Sequence, residues 1–210
     1  MEAKAIPVGV PVGILGGTFN PIHHGHLILA RAAKEALGLS RMLLVPNARS
    51  PLRQDEELAP ADLRLRMLEA AVSGEEGLEA CGVEVRRKGT SYTVDTLREL
   101  NQAHPDARLH FLVGADSLET LDRWVRIDEI IRLAAVVVLP RPGADAPALL
   151  RDLGERAPEV AKGVRLLDLN CRIEISATGI RERVAAGQSI RWLVPDAVRE
   201  IIESQGLYRL

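Results

Sequence analysis

Cysteine is nearly absent from this chain of 210 residues: Cys81 and Cys171 are the only two, and they lie far apart. So few thiols exclude a disulfide scaffold and fit a reducing compartment, where both are expected to be buried spectators. Excess charge of one sign is missing too. With a formal net charge of -2 the chain has no overall basic field, which excludes extended nucleic-acid binding; any site for an anion must be local. Lysine occurs only at 4, 34, 88 and 162, so nearly every base is arginine, a bias that genome composition and heat adaptation both produce. No apolar run approaches membrane-spanning length, and no basic start leads into an apolar stretch near Met1. Neither a membrane partner nor a secretory leader is expected, and the expected location is the cytoplasm. Internal repeats and low-complexity tracts are likewise absent.

What is present fits one core. A 47% hydrophobic content over 210 residues suffices for one sizeable interior and is short for two. The expectation is a single domain over residues 1–210, with a helical portion of about 176–210 packed on it. Short apolar runs alternate with helical patterns, the mark of a doubly wound α/β fold: a mainly parallel sheet with helices on both faces. The expected strands are 12–15, 42–45, 78–85, 109–113 and 136–139, with a short one near 165–167. Leu29, Ala33, Ala36 and Leu37 should share the core face of a first helix, and Leu63, Met67, Ala70 and Ala71 that of another. A last helix should carry Val194, Val198, Ile201 and Ile202 inward, with Pro195 in its first turn and Gly206 as its stop. The longest loops should be 46–61 and 140–147. In such sheets ligands bind beyond the carboxyl ends of the strands, where both loops begin.

Histidine is scarce, yet three of five cluster at one place. Leu15-Gly16-Gly17-Thr18-Phe19-Asn20-Pro21-Ile22-His23-His24-Gly25-His26 runs from an apolar strand through a glycine turn into a helix start. Glycine permits tight turning and close approach of a ligand to the backbone. Free N–H groups and the positive dipole end at a helix start attract phosphate, and His23 and His26 add donors to the same space. Zinc is not expected, because no cysteine or carboxylate lies nearby at ligand spacing.

The ordered set of Gly16-Gly17-Thr18-Phe19-Asn20-Pro21-Ile22-His23-His24-Gly25-His26, Ser91-Tyr92-Thr93-Val94-Asp95-Thr96-Leu97, Val113-Gly114-Ala115-Asp116-Ser117, Trp124, Arg141-Pro142-Gly143 and Ile175-Ser176-Ala177-Thr178-Gly179-Ile180-Arg181 resembles the bacterial nicotinate-nucleotide adenylyltransferases. With Trp192-Leu193-Val194-Pro195 and Gly206-Leu207-Tyr208, the resemblance covers nearly the whole chain. It implies a Rossmann-like nucleotidyltransferase of the His-x-Gly-His type. Two positions depart from the pattern: Asn20 stands where aspartate is common, and Ala177 replaces a serine.

Read from the residues alone, Ser176 or Thr178 can either cap a helix or bind phosphate. Arg181, about a turn further on, tips that segment toward an anion site, and the resemblance places the β- and γ-phosphates of ATP there. Asp116 can accept ribose hydroxyls or cap a helix beginning at Ser117. Trp124 can stack on a ligand or simply pack in the core; by resemblance it lies by the pyridine ring, while Trp192 remains a packing residue. Thr93 can cap the helix that follows it, and the resemblance puts the nicotinate at its free N–H groups, beside Tyr92. Asn47 and Arg53 correspond to positions approaching the mononucleotide, although a solvated charge is the plain alternative for Arg53.

The resemblance therefore implies catalytic roles for His23, His26 and Arg181. ATP would meet Gly16, Gly17, Thr18, Phe19, His23, Gly25, His26, Gly114, Asp116, Ser176, Thr178 and Arg181. The mononucleotide would meet Asn47, Arg53, Tyr92, Thr93, Trp124 and Arg141. The implied reaction moves AMP from ATP to nicotinate mononucleotide, releasing pyrophosphate, with Mg²⁺ entering on ATP and no protein metal ligands. Nicotinamide-mononucleotide or pantetheine-phosphate adenylyl transfer is the alternative in the same class, and a non-catalytic nucleotide-binding regulatory module the alternative outside it. A homo-oligomer is left open.

Overall fold

Period-two alternation sends Val12 and Ile14 of β1 (Pro11–Gly17) to one face of a sheet and Leu15 to the other. In β2 (Arg41–Pro46), Leu43 and Val45 join the first face while Met42 and Leu44 join the second. A strand apolar on both sides must be covered on both sides. With β3 (Leu78–Ala80), β4 (Arg108–Gly114), β5 (Ala135–Leu139) and β6 (Val164–Leu166) they form one parallel sheet in the order β3-β2-β1-β4-β5-β6. This computed structural model describes residues 9–49, 58–141, 143–169 and 173–209.

Nine helices occur among the described residues: α1 (His24–Ala36), α2 (Ala61–Ala71), α3 (Val83–Arg87), α4 (Thr93–Ala103), α5 (Ile127–Leu133), α6 (Ala146–Arg156), α7 (Pro158–Lys162), α8 (Ala177–Ala185) and α9 (Asp196–Ser204). Helices α1, α2, α8 and α9 cover the face of Met42 and Leu44 through Ala33, Met67, Leu68, Ile180, Val198 and Ile202. Helices α3 to α7 cover the face of Ile14 and Val45 through Val83, Leu97, Ile130, Leu153 and Val160. The doubly wound, Rossmann-like α/β expectation holds.

Several local expectations fail for identifiable reasons. The run 78–85 is not one strand: only Leu78–Ala80 pairs with β2, and Val83 begins a helical turn whose Arg86 N–H closes on the Gly82 carbonyl. Val83 and Val85 imitate strand alternation because a single helical turn between sheet and α4 buries both. Ala36 is exposed, since α1 rests on Ala30 and Ala33. Pro147 lies inside α6, which Asp145 caps through its Oδ1 on the Ala148 N–H, and Pro195 is the cap rather than a first-turn residue of α9. Cys81 is only half-buried, and Cys171 lies outside the described residues. Trp192 is the clearest departure. The chain takes a left-handed φ of 72° there, which turns Ile190 and Val194 inward and leaves the indole 74% exposed under the Arg191 guanidinium.

Leu44, fully buried on β2, and exposed Trp192 thus make opposite predictions. Leu44→Ala is expected to lower the unfolding free energy by about 2–5 kcal/mol. Trp192→Ala should stay within about 0.5 kcal/mol of the parent. Urea titrations followed by circular dichroism check both; a Trp192→Ala loss matching that of Leu44→Ala would restore its packing role.

Candidate active site

β1 is hydrogen-bonded to β2 on one edge and β4 on the other, and the chain leaves these strands toward opposite faces of the sheet. A crevice must open where those exits diverge. The structure has a cleft of about 840 Å³ there, floored by the carboxyl ends of β1, β4 and β5 and walled by α1, α4 and α8. Every candidate residue within the described segments lines it: Gly16, Gly17, Thr18, Phe19, His23, Gly25, His26, Asn47, Tyr92, Thr93, Gly114, Asp116, Trp124, Arg141, Ser176, Thr178 and Arg181. Arg53 lies outside the described residues.

The sequence suggests a glycine turn after β1, but the strand runs through Gly17 and the left-handed residue is Phe19, at φ 47°. Gly17 is needed for space, because a Cβ there would meet the Phe19 ring at 3.0 Å. That ring stands edge-on to His26, with centroids 5.1 Å apart. His23 caps α1, its Nδ1 accepting a long hydrogen bond from the His26 N–H at 3.4 Å. The two imidazoles stack with centroids 3.6 Å apart, and Gly25 makes room, since a Cβ would lie 3.0 Å from His23 Nδ1. Burial, reinforced by the neighbouring His24, holds His23 down to about 4; burial, reinforced by His23, holds His26 down to about 3. Both are therefore neutral at pH 7. With Nδ1 of His23 acting as acceptor, its proton sits on Nε2 and serves as a donor.

Across the cleft, Ser176 rather than Thr178 caps α8, its Oγ accepting from the Gly179 N–H at 3.0 Å. Arg181 donates to the Asn20 carbonyl at 3.0 Å and to Thr178 Oγ1 at 3.4 Å, fastening α8 to the segment after β1. Asp116 caps nothing; it lies within a 3₁₀ turn, Ala115–Glu119, and pairs with Arg141. Trp124 is half-buried, edge-on to Phe111 and donating from Nε1 to Thr120 Oγ1 at 3.4 Å, so it is both core and cleft wall. Tyr92, not Thr93, holds the cap position of α4, and its side chain makes no capping hydrogen bond there. Asn47 Nδ2 donates to Thr18 Oγ1 at 3.2 Å.

Sequence reasoning missed a second layer. Glu84 lines the cleft wall, its pKa raised by burial, and accepts from Thr96 Oγ1 at 2.6 Å, while Arg87 donates to the same hydroxyl. Arg64 is fully buried on α2 and bonded to the segments after β1 and β2. Its signal was available: an arginine three positions before Met67, on the apolar stripe itself.

The cytidylyltransferase-like family model matches residues 14–183. A protein named "Probable nicotinate-nucleotide adenylyltransferase" from Geobacillus thermodenitrificans is 43% identical over 94% of this chain and 85% of its own length. A protein of the same name from Herpetosiphon aurantiacus is 43% identical over 94% of this chain and 98% of its own. The Plasmodium falciparum nicotinic acid mononucleotide adenylyltransferase, solved with NaAD, shares the fold at a TM-score of 0.72 and 16% identity, covering 95% of this chain and 97% of that one.

Depressed histidine pKa values fix the sign of a pH dependence. Unfolded histidines titrate near 6.5, so between there and about 4 the unfolded chain binds more protons than the folded one. Stability from this pair is complete above pH 6.5 and drains as pH falls, at most about 1.4 kcal/mol per pH unit for each histidine. Urea midpoints at pH 7 and pH 5 should differ accordingly, and His26→Gln should flatten the slope; an unchanged slope would remove His26 from the account.

Proposed function

Because the chain belongs to the cytidylyltransferase-like family, among its nicotinate-nucleotide adenylyltransferases, we infer that it transfers AMP from ATP to nicotinate mononucleotide. The products are nicotinate adenine dinucleotide and pyrophosphate, a step of NAD biosynthesis. The observation that carries the site assignment is the joint placement of the stacked His23–His26 pair, the Arg181 guanidinium and two helix starts around one cleft.

The 5′-phosphate oxygen of the mononucleotide attacks the α-phosphorus of ATP. The new P–O bond forms as the α–β anhydride bond breaks, and its electron pair leaves on pyrophosphate. No covalent enzyme intermediate is needed, because the acceptor phosphate is already a nucleophile. Positioning and charge stabilisation are what the protein supplies. Neutral His23 and His26 donate N–H groups to the transferring phosphate without releasing protons. Arg181, Thr178 and the start of α8 hold the β- and γ-phosphates, while Thr18 and Phe19 pass beneath the α-phosphate. Asp116 exchanges part of its pairing with Arg141 for ribose hydroxyls.

Mg²⁺ is part of this proposal. The ion would enter on ATP with its waters, which the Thr18 hydroxyl and Asp116 carboxylate in the cleft would face, and its charge would offset that of the leaving pyrophosphate. On the acceptor side, Trp124 and Tyr92 flank the pyridine ring and Asn47 approaches the mononucleotide. Its carboxylate receives the N–H groups at the start of α4. We place the activity in a single domain acting in the cytoplasm; among the described residues no helix is long and apolar enough to cross a membrane.

Two outcomes are expected. Pyrophosphate release should favour nicotinate over nicotinamide mononucleotide about tenfold or more in kcat/KM, because bonds to a charged acceptor add about 1.5–3 kcal/mol. Equal values would remove the carboxylate from the α4 start. His26→Ala should lower kcat by about 10²–10³ while barely changing mononucleotide KM, the pattern for a lost transition-state donor. A near-normal kcat would displace the reaction from this histidine.

A further inference from the structure

Among the described residues, Arg64 is a buried cation with only neutral partners. Its side chain is 1% exposed, and its fork is spent on four acceptors. Nε donates to the Ala59 carbonyl at 2.9 Å, Nη1 to the Thr18 carbonyl at 2.7 Å and to Asn47 Oδ1 at 3.4 Å, and Nη2 to the Ala48 carbonyl at 3.1 Å. Among the described residues, no carboxylate pairs with it. Three segments therefore meet at one guanidinium: the exit of β1, the exit of β2, and the approach to α2. The first two are joined in turn by the Asn47–Thr18 bond.

A buried charge without a counter-charge is costly, and natural proteins rarely keep one unless it is paired. Carbonyl dipoles offset only part of that cost. Of the four residues it holds, Thr18 and Asn47 line the cleft, and both proposed substrates are polyanions. We propose that Arg64 is a positioning residue for adenylyl transfer: its fork sets Thr18 and Asn47 in register for the two phosphates, and bound substrate supplies its missing counter-charge. Arg64 touches neither substrate and acts through the Thr18 backbone and the Asn47 side chain that it holds. The inference rests on the proposed reaction and adds a residue behind the walls of that site. A planar fork is needed for the first task, because a lysine cannot reach three segments at once. Charge alone suffices for the second, since a buried charge is weakly screened.

The test is steady-state pyrophosphate release with ATP and nicotinate mononucleotide for the wild-type chain, Arg64→Lys and Arg64→Met, with folding followed by circular dichroism. Wild-type turnover checks the underlying reaction by itself; if it is absent, the same variants are compared by calorimetric ATP affinity, with the KM expectations below read as affinities. Arg64→Lys keeps the charge and loses the fork, so KM for ATP should stay within about threefold while kcat falls about tenfold or more. Arg64→Met loses both, and should in addition raise KM for both substrates about tenfold. A purely structural arginine would lower the melting temperature and leave the kinetics of the folded fraction alone. Folded variants within about twofold of wild type in kcat and KM, or in ATP affinity if that is the readout, overturn the proposal. If neither variant melts cooperatively, the wild-type chain decides: the Arg64 Nε–H resonance should shift on titration with inorganic pyrophosphate, and an unmoved resonance at saturation overturns it.

Discussion

The pairing of β1 on both edges is the constraint from which the site follows. Gly13 to Leu15 hydrogen-bond to β2 on one side and β4 on the other, so the chain after Gly17 emerges at the middle of the sheet. From that point α1 crosses one face, while the chain after β4 turns onto the other. The gap between those exits cannot be filled by either layer, and it becomes the cleft. Groups on α1, α4 and α8 line this same space.

Electrostatics inside the cleft are set by burial more than by number of charges. The chain is nearly neutral, yet its cleft holds Arg181, with buried Arg64 just behind Thr18 and Asn47. Two helix starts add positive dipole ends. The histidines contribute none of this charge, because burial, reinforced by a neighbouring histidine, keeps them neutral. They remain donors across the physiological range, and an arriving polyanion strengthens their hold on protons rather than competing with it. Division of labour follows: arginine supplies permanent charge and neutral imidazole supplies directed N–H groups.

Asn20 shows how tightly the two ends of the chain are joined at this place. Its Oδ1 accepts from the Ala59 N–H at 3.1 Å and from the Tyr208 hydroxyl at 2.8 Å, while its carbonyl receives Arg181. The C-terminal segment thus braces the Asn20–Arg181 side of the cleft from behind, and α8 and α9 pack with α1 and α2 in one apolar layer.

The alternation of apolar runs and helical patterns was enough to read the doubly wound sheet, because a strand buried on both faces must be apolar on both. The runs Gly16 to His26 and Ser176 to Arg181 stood out because glycine, helix starts and donors occur there in short local order, and the fold brings both to one cleft. Residues such as Arg64 and Glu84 escaped that reading. Their side chains sit on helical faces that propensity assigns to core, and only the folded chain reveals which distant carbonyls and hydroxyls they meet. Trp192 failed in the other direction, since an aromatic reads as core until a left-handed turn points it outward. Local order along the chain thus determined the fold class and the donors. Which charges stay unpaired and which three segments share one guanidinium were decided by tertiary contacts, such as that of Arg64 with the Thr18 carbonyl 46 positions away, which no local pattern encodes.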